Sequence, residues 1–326
     1  MKFLIIGAGS IGQRHISNLS KIISKNSIYL YDVNTNQKNS ISKKFKILPL
    51  NKLIFSDFDC IFICTPPSTH TKLAIDGLKQ GCNVFIEKPL SANNKEILSL
   101  KNLAKKKNLS VFIGYNFRFN SNINYIKKIV EKKQLGKILS VSAYYGQYLP
   151  DWRPSQNYQK NYSALKKLGG GIIHDSSHEI DYLVWLLGNP KEIQSNYVKT
   201  TILKTDVEAL ANILLKFKNN ILGTIHLDFV RREYKRSLEI LCEKGIIYWS
   251  LKDGKIEIFN IKNNKWKVVH KSKSVNEMYL NEMKHVVECI KMKRTSKIIS
   301  LENGINSQKL SDIIIKAGKS EHKIKI

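Results

Sequence analysis

The 326-residue sequence has few cysteines, few arginines and no long hydrophobic run. Its five cysteines are widely spaced and form no Cys-x-x-Cys pair, which argues against a disulfide framework or a zinc site and predicts reduced, buried thiols. No window approaches about 18 consecutive apolar residues, so we expect a soluble, cytoplasmic protein without a transmembrane helix or a membrane partner. Glycines interrupt the N-terminal apolar run before it could serve as a signal peptide.

The formal net charge of +28 is the unusual feature of the composition. Only seven of the 54 basic residues are arginines, and the lysines are scattered along the whole chain. Recognition of nucleic-acid phosphates and bases favours arginine, so we expect no nucleic-acid partner. A negatively charged small-molecule substrate remains open.

The length exceeds what one hydrophobic core usually organises, which predicts two domains. We expect a dinucleotide-binding domain over residues 1–119 and a substrate-binding and oligomerisation domain over residues 120–326. The last helices of the chain would be able to pack back on the first domain.

The N-terminal segment predicts a strand, a glycine turn and a helix. The apolar run Lys2–Ile6 is followed at once by a Gly-x-Gly-x-x-Gly pattern over residues 7–12 and then by helical apolar spacing. In such a turn the first glycine allows the tight bend, the second admits a pyrophosphate, and the third lets helix and strand pack closely. The candidate cofactor residues of this turn are Gly7, Gly9, Ser10, Ile11 and Gly12.

A carboxylate follows at the distance expected for ribose recognition. The strand Ile28–Tyr31 ends at Asp32, twenty residues after Gly12. Because a 2'-phosphate would lie against this negative charge, NAD is favoured over NADP.

Alternating strands and helices then predict a doubly wound parallel sheet. Apolar runs at residues 60–64 and 83–86 each end in polar motifs, which places those motifs at the carboxyl edge where ligands bind. The candidate cofactor residues at this edge are Thr65, Pro66, His70, Glu87, Lys88 and Asn116.

Four phrases in order, IGAGSIGQRH, CTPPSTH, FIEKPL and GYNFRF, make the sequence resemble the Gfo/Idh/MocA family of sugar and polyol dehydrogenases. The resemblance implies that Lys88, in the Glu-Lys-Pro motif, lies beside the nicotinamide and the reacting carbon as a catalytic and substrate-binding residue. It also implies a Rossmann domain followed by an α+β domain, and commonly a non-trans peptide bond before Pro89.

The second half is rich in β-strands. A helix around residues 123–133 is followed by seven apolar or alternating runs between Lys137 and Phe259, which predict a large, open, mostly antiparallel sheet. In the family that the sequence resembles, the exposed face of this sheet commonly packs between subunits. We therefore expect a homodimer or homotetramer formed through the C-terminal sheet.

A second chemical cluster follows the glycines at residues 169–171. His174, Asp175 and His178 have spacings that would bring all three to one helical face, where His178 can accept a hydroxyl proton and a carboxylate can orient it. The family pattern has an aspartate four residues before the histidine, a position occupied here by His174, so the choice between Asp175 and His174 stays open. A two-histidine metal site is a competing interpretation without a third ligand, and no metal is expected.

The stretch between the two clusters is rich in aromatic residues that suit sugar faces. The candidate substrate-binding residues are Lys88, Arg118, Trp152, Arg153, Tyr158, His174, Asp175 and His178. Lys88, His178 and Asp175 are the candidate catalytic residues of a hydride transfer between nicotinamide and a hydroxyl or keto carbon of a sugar, sugar derivative or polyol. The alternatives are a non-catalytic dinucleotide-binding regulator and an oxidoreductase that recycles a tightly held cofactor.

Overall fold

In the computed structural model, which describes residues 1–154, 156–320 and 322–326, the chain forms two units. The first comprises Met1–Asn116 and Tyr279–Asn306, and the second comprises Phe117–Met278 and Ser307–Ile326.

The first unit is built on a parallel sheet with the strand order β3-β2-β1-β4-β5-β6. Its strands are β1 (Phe3–Ile6), β2 (Ile28–Tyr31), β3 (Leu48–Pro49), β4 (Cys60–Ile63), β5 (Asn83–Glu87) and β6 (Val111–Gly114). The intervening helices are α1 (Ser10–Leu19), α2 (Thr35–Phe45), α3 (His70–Lys79) and α4 (Ile97–Lys107). The strands β1, β4 and β6 are buried at every residue, as expected where helices cover both faces of a parallel sheet. The predicted doubly wound sheet is confirmed.

The second unit contains a nine-stranded sheet with the order β14-β13-β12-β11-β7-β10-β9-β8-β15. Its strands are β7 (Ile138–Gly146), β8 (Glu192–Val198), β9 (Leu210–Lys216), β10 (Leu222–Asp228), β11 (Lys235–Cys242), β12 (Gly245–Ser250), β13 (Lys255–Asn260), β14 (Lys265–Lys271) and β15 (Ile324–Lys325). Every pairing is antiparallel except β7 with β10. The mostly antiparallel sheet is confirmed, and the sequence did not predict β14 or β15.

Helices accompany this sheet on one side. They are α5 (Ser121–Glu131), the single turn α6 (Ile172–Asp175) and α7 (Ser177–Leu187). Along β9 and β10 buried and exposed residues alternate, so one face is covered and the other is open. Two later helices, α8 (Val275–Lys291) and α9 (Leu301–Ser320), each contribute residues to both units.

The open face carries a row of apolar side chains. Cross-strand register places Leu222, Leu241, Ile246, Phe259 and Trp266 in one line from β10 to β14, with Ser140 of β7 between the first two. Leu222, Leu241 and Trp266 are 59%, 40% and 50% exposed. An apolar row of this length on an uncovered sheet face is typical of an association surface.

Candidate active site

The glycine turn between β1 and α1 is crowded at Gly7 and Gly12 and open at Gly9. Gly7 has φ +107°, and a Cβ on Gly12 would lie 2.0 Å from the carbonyl oxygen of Gly7, so both positions require glycine. A Cβ on Gly9 would meet no described atom within 4 Å. Ser10 and Ile11 open α1, whose first turn receives no side-chain cap from the described residues. The turn therefore leaves space and unsatisfied N–H groups for an anion.

Asp32 ties this turn to the end of β2. Its Oδ2 accepts from the backbone N of Ala8 at 2.6 Å, and its Oδ1 accepts from the backbone N of Asn34 at 2.7 Å. The half-buried carboxylate is thus fixed in orientation and keeps lone pairs for ribose hydroxyls.

His70 has a structural position at the carboxyl edge. The ring is 1% exposed, with Nε2 2.8 Å from the carbonyl oxygen of Thr65 and Nδ1 2.9 Å from that of Pro89. Burial lowers the pKa of His70. Because the ring joins the ends of β4 and β5, it positions the loops that carry Thr65, Pro66 and Lys88 and does not itself face open space.

Asn116, just beyond β6, is 2% exposed, and neither its amide nitrogen nor its amide oxygen has a hydrogen-bond partner among the residues described. A buried amide without partners is rare and calls for an explanation. A ligand group at this edge of the sheet provides one. Together with the open turn at Gly9, Asn116 makes this edge fit a dinucleotide.

Glu87 turns inward, whereas Lys88 is half-buried at the end of β5. Oε1 of Glu87 lies 2.5 Å from Nε2 of the fully buried His15, and Oε2 accepts from the backbone N of Lys88 at 3.2 Å. The peptide bond between Lys88 and Pro89 is cis, as the resemblance implied. Glu87 therefore anchors the backbone of Lys88.

In the second unit, the glycines before α6 allow a close approach by an acidic residue. A Cβ on Gly171, which has φ +118°, would lie 2.3 Å from Oε1 of Glu208. That same oxygen accepts from the backbone N of Ile173 at 3.3 Å, while the Glu208 carbonyl accepts from Ile172 N at 3.2 Å. Burial raises the pKa of Glu208, and the charge of Asp175 adds to this effect. Glu208 thus holds the start of α6.

Asp175 is 4% exposed and accepts a hydrogen bond from the hydroxyl of Tyr162 at 2.5 Å. Burial and the neighbouring Asp175 raise the pKa of Tyr162, which keeps the phenol protonated as a donor. The Asp175 carboxylate is therefore held in a defined orientation.

His174, Asp175 and His178, which were expected on one face of a single helix, do not lie on one continuous helix. Ser176, with φ −99° and ψ 29°, separates α6 from α7. Nε2 of His174 lies 3.8 Å from Oδ1 of Asp312 on α9, whereas His178 packs against the ring of Phe117 with centroids 4.9 Å apart. Burial lowers the pKa of His174. Because the helix is interrupted, sequence spacing does not set the directions of these side chains.

Two buried ion pairs fix α7. Arg118, expected at the substrate, is 5% exposed and donates to both oxygens of Asp181 at 2.8 Å. Nε of Arg236 lies 2.8 Å from Oε1 of the fully buried Glu179. Arg118 is thus already paired in a bidentate geometry, and it positions the helix that carries His178.

Aromatic residues of the loop after β7 form hydrogen bonds with backbone atoms. Trp152 donates from Nε1 to the carbonyl of Gln147 at 3.2 Å, and the hydroxyl of Tyr158 accepts from the backbone N of Lys204 at 3.1 Å. Cζ of Arg153 lies 5.9 Å from the ring centroid of Tyr162. Of these three substrate candidates, Arg153 lies beside Tyr162, the residue that orients Asp175.

No sequence pattern pointed to Glu208 or to the two ion-paired acids, Glu179 and Asp181. Glu208 precedes an apolar strand and lies 33 residues after Asp175, so no local pattern marks it. Its only sequence signal is the run of glycines at residues 169–171. These glycines indicate that another group lies close to the backbone there, but they do not identify that group.

The described parts of the chain contain no group of three or more His, Cys, Asp or Glu arranged to hold a metal ion. All five cysteines are free and buried. No helix in the described ranges is both long and apolar enough to cross a membrane.

Comparison with known proteins gives matches to two family models over most of the chain. The model of an oxidoreductase family with an NAD-binding Rossmann fold (GFO/IDH/MocA) matches residues 1–115, and a GFO/IDH/MocA C-terminal domain model matches residues 123–248.

Among curated relatives, a myo-inositol 2-dehydrogenase from Thermotoga maritima is 27% identical over 266 residues, covering 76% of this chain and 75% of the relative. A glucose-6-phosphate 3-dehydrogenase from Bacillus subtilis is 28% identical over 195 residues, which are 57% of this chain and 53% of that protein. A solved levoglucosan dehydrogenase complex with NADH and L-sorbose aligns with a TM-score of 0.89 at 17% identity, covering 100% of this chain and 98% of that one. This last similarity concerns the fold.

Proposed function

Since the chain belongs to the Gfo/Idh/MocA family of NAD-binding oxidoreductases, we propose that it is an NAD-dependent dehydrogenase acting on a hydroxyl or keto carbon of a sugar, sugar derivative or polyol. The observation that carries the proposal is the half-buried Lys88 at the carboxyl end of β5, on the same sheet edge as the open turn at Gly9 and the unpartnered amide of Asn116. Bound NAD would supply the hydride acceptor or donor.

The residues of the chain supply binding, orientation and proton transfer. The turn at residues 7–12 and Asp32 would hold the dinucleotide, and the amide of Asn116 would form hydrogen bonds with it. The ammonium of Lys88 would stabilise the developing alkoxide, and either Lys88 or His178 would take the hydroxyl proton. Asp175, oriented by Tyr162, would bind a second hydroxyl.

Substrates with several hydroxyl groups agree with the names of the relatives, which act on myo-inositol and glucose 6-phosphate. Asp32 favours NAD because its carboxylate would repel a 2'-phosphate.

Absorbance at 340 nm, followed in both directions with NAD against polyols, free sugars and nucleotide sugars, tests this proposal. We expect Lys88→Met to lower kcat by at least about 100-fold while the affinity for NAD, measured by calorimetry, changes only a few-fold. Lys95→Met, an exposed lysine further along the same loop, is the control and should behave as wild type. Equal loss of turnover and of NAD affinity in Lys88→Met would contradict the catalytic role, and silence of the wild type with every substrate would favour a regulator or a cofactor recycler.

We also propose that two copies associate through the open sheet face. The apolar row from Leu222 to Trp266 supports this assembly. Light scattering should give a dimer or tetramer for the wild type and a smaller species for Phe259→Lys, and a monomeric wild type would overturn the proposal.

A further inference from the structure

The few arginines of this lysine-rich chain all make a specific contact through the guanidinium group. Each of the seven either lies over an aromatic ring or pairs with a carboxylate. They are Arg14, Arg118, Arg153, Arg231, Arg232, Arg236 and Arg294. Three of them, Arg14, Arg153 and Arg232, lie over a tyrosine and have no carboxylate partner in the described part of the chain. Arg14 belongs to the first unit, and the other two belong to the second.

Arg153 and Arg232 come from the loops that follow two neighbouring strands at the centre of the nine-stranded sheet. The strands β7 and β10 are adjacent and parallel, with Gly146 opposite Asp228, so the loops that follow them leave the sheet together. The backbone N of Leu149 donates to the carbonyl of Phe229 at 2.9 Å, which joins the two loops.

Tyrosine rings hold both guanidinium groups. Cζ of Arg232 lies 3.5 Å from the ring centroid of Tyr148, which belongs to the other loop. Cζ of Arg153 lies 5.9 Å from that of Tyr162, and Tyr162 donates to Asp175. Tyr162 therefore contacts both Arg153 and Asp175, the carboxylate that we propose binds the substrate.

The acidic residues nearby in sequence do not neutralise this pair. Asp151 is exposed and makes no ion pair within the described residues. Glu233 lies 2.7 Å from Nζ of Lys252 and 3.8 Å from Nη2 of Arg231. A guanidinium that contacts an aromatic face keeps the N–H groups of its own plane available, and these match a phosphate or carboxylate in bidentate geometry.

We propose that Arg153 and Arg232 bind an oxyanion of the substrate, so that the physiological substrate is an anionic sugar derivative carrying a phosphate or a carboxylate. This inference rests on the proposed function because it assigns the substrate class of the same site. It makes the loops after β7 and β10 the part of the protein that distinguishes charged from neutral sugars.

Calorimetry on the NAD-loaded protein tests the inference with three probes: glucose, glucose 6-phosphate and glucuronate. We expect at least one anion to bind about ten- to a hundredfold more tightly than glucose, the range expected for charge-assisted hydrogen bonds. The anion that is preferred distinguishes a phosphate site from a carboxylate site. Arg153→Gln with Arg232→Gln should abolish the preference, and Arg153→Lys should recover only part of it because lysine keeps the charge but not the fork.

Lys204→Gln is the matched control, since it removes one exposed positive charge from a neighbouring loop of the same unit. It should leave the preference intact. Equal binding of all three probes, failure of both anions to bind, or a preference that survives in the double variant would overturn the inference. Because the readout is binding, a protein that prefers anions but turns over no substrate would refute the proposed function and leave this inference standing.

Discussion

The buried acid Glu282 on α8 makes the stability of the first unit depend on pH. Glu282 is fully buried, and neither of its carboxyl oxygens has a hydrogen-bond partner in the described ranges. Burial, followed by the charge of Glu87, raises its pKa well above the usual 4.5. Burial also raises the pKa of the Cys64 thiol, and the Glu87 carboxylate adds to this effect. We expect the folded protein to hold this proton at pH values where the unfolded chain has released it.

The sign of the effect follows from proton binding. Above about pH 4.5 the unfolded chain releases this proton whereas the folded protein keeps it, so the free energy of unfolding falls as pH rises. The slope is at most about 1.4 kcal/mol per pH unit until the pKa of the folded state is reached. Between pH 5 and pH 7, Glu282 can therefore lower the free energy of unfolding by up to about 3 kcal/mol. Glu282→Gln keeps the shape and removes the titration.

Urea unfolding of wild type and Glu282→Gln at pH 5, 6 and 7 measures this difference directly, because other titrating groups cancel between the two proteins. We expect the variant to gain stability relative to wild type as the pH rises. Glu302→Gln is the control, since Glu302 is an exposed glutamate of the same unit that pairs with Lys101. A constant difference between wild type and Glu282→Gln across the three pH values would refute a proton held at Glu282.

Two further predictions concern Gly9 of the first unit and Glu208 of the second. Gly9→Ala should fold like wild type, because a Cβ there meets no described atom within 4 Å, and it should bind NAD about tenfold more weakly since the methyl group occupies the approach to the turn; unchanged NAD affinity by calorimetry would contradict the assigned position of the pyrophosphate. Glu208→Ala should lower kcat about tenfold or more without changing NAD affinity, whereas Glu208→Gln should keep most activity because its amide oxygen can still accept from the backbone N of Ile173. Steady-state kinetics of both variants decide this, and equal losses in the two would argue against a positioning role.

Local patterns predicted the strands β1, β2, β4 and β5 of the first unit, but not the two-residue strand β3. The predicted strand at residues 28–31 has the observed bounds, and those predicted at 2–6, 60–64 and 83–86 differ from the observed strands by one residue at one end. In each case a continuous apolar run is followed at once by glycine or polar residues, so the strand and its end are both encoded within a few positions.

The two edge strands of the sheet in the second unit were harder to predict from the sequence because neither contains a long apolar run. The strand β14, with the sequence KWKVVHK, lies at one edge of the sheet beside β13. Three of its seven residues are lysines, and its side chains are mostly exposed. An edge strand of this kind lacks the apolar run by which the other strands were predicted. The strand β15 is only two residues long and forms through pairing with β8, more than 120 residues earlier in the chain.

The positions of the charged side chains depend on partners far away in sequence, and this affects how activity losses are to be interpreted. Arg118 follows Asn116 closely in the GYNFRF phrase, yet its partner Asp181 is 63 residues away and almost fully buried. Arg236 similarly neutralises Glu179 on the same helix. Removing one partner of a buried ion pair leaves an uncompensated charge, which costs about 3–5 kcal/mol. Inactivity of an Arg118 variant would therefore report displacement of α7 and of His178, whereas inactivity at Arg153, which has no such partner among the described residues, would report a lost contact with substrate.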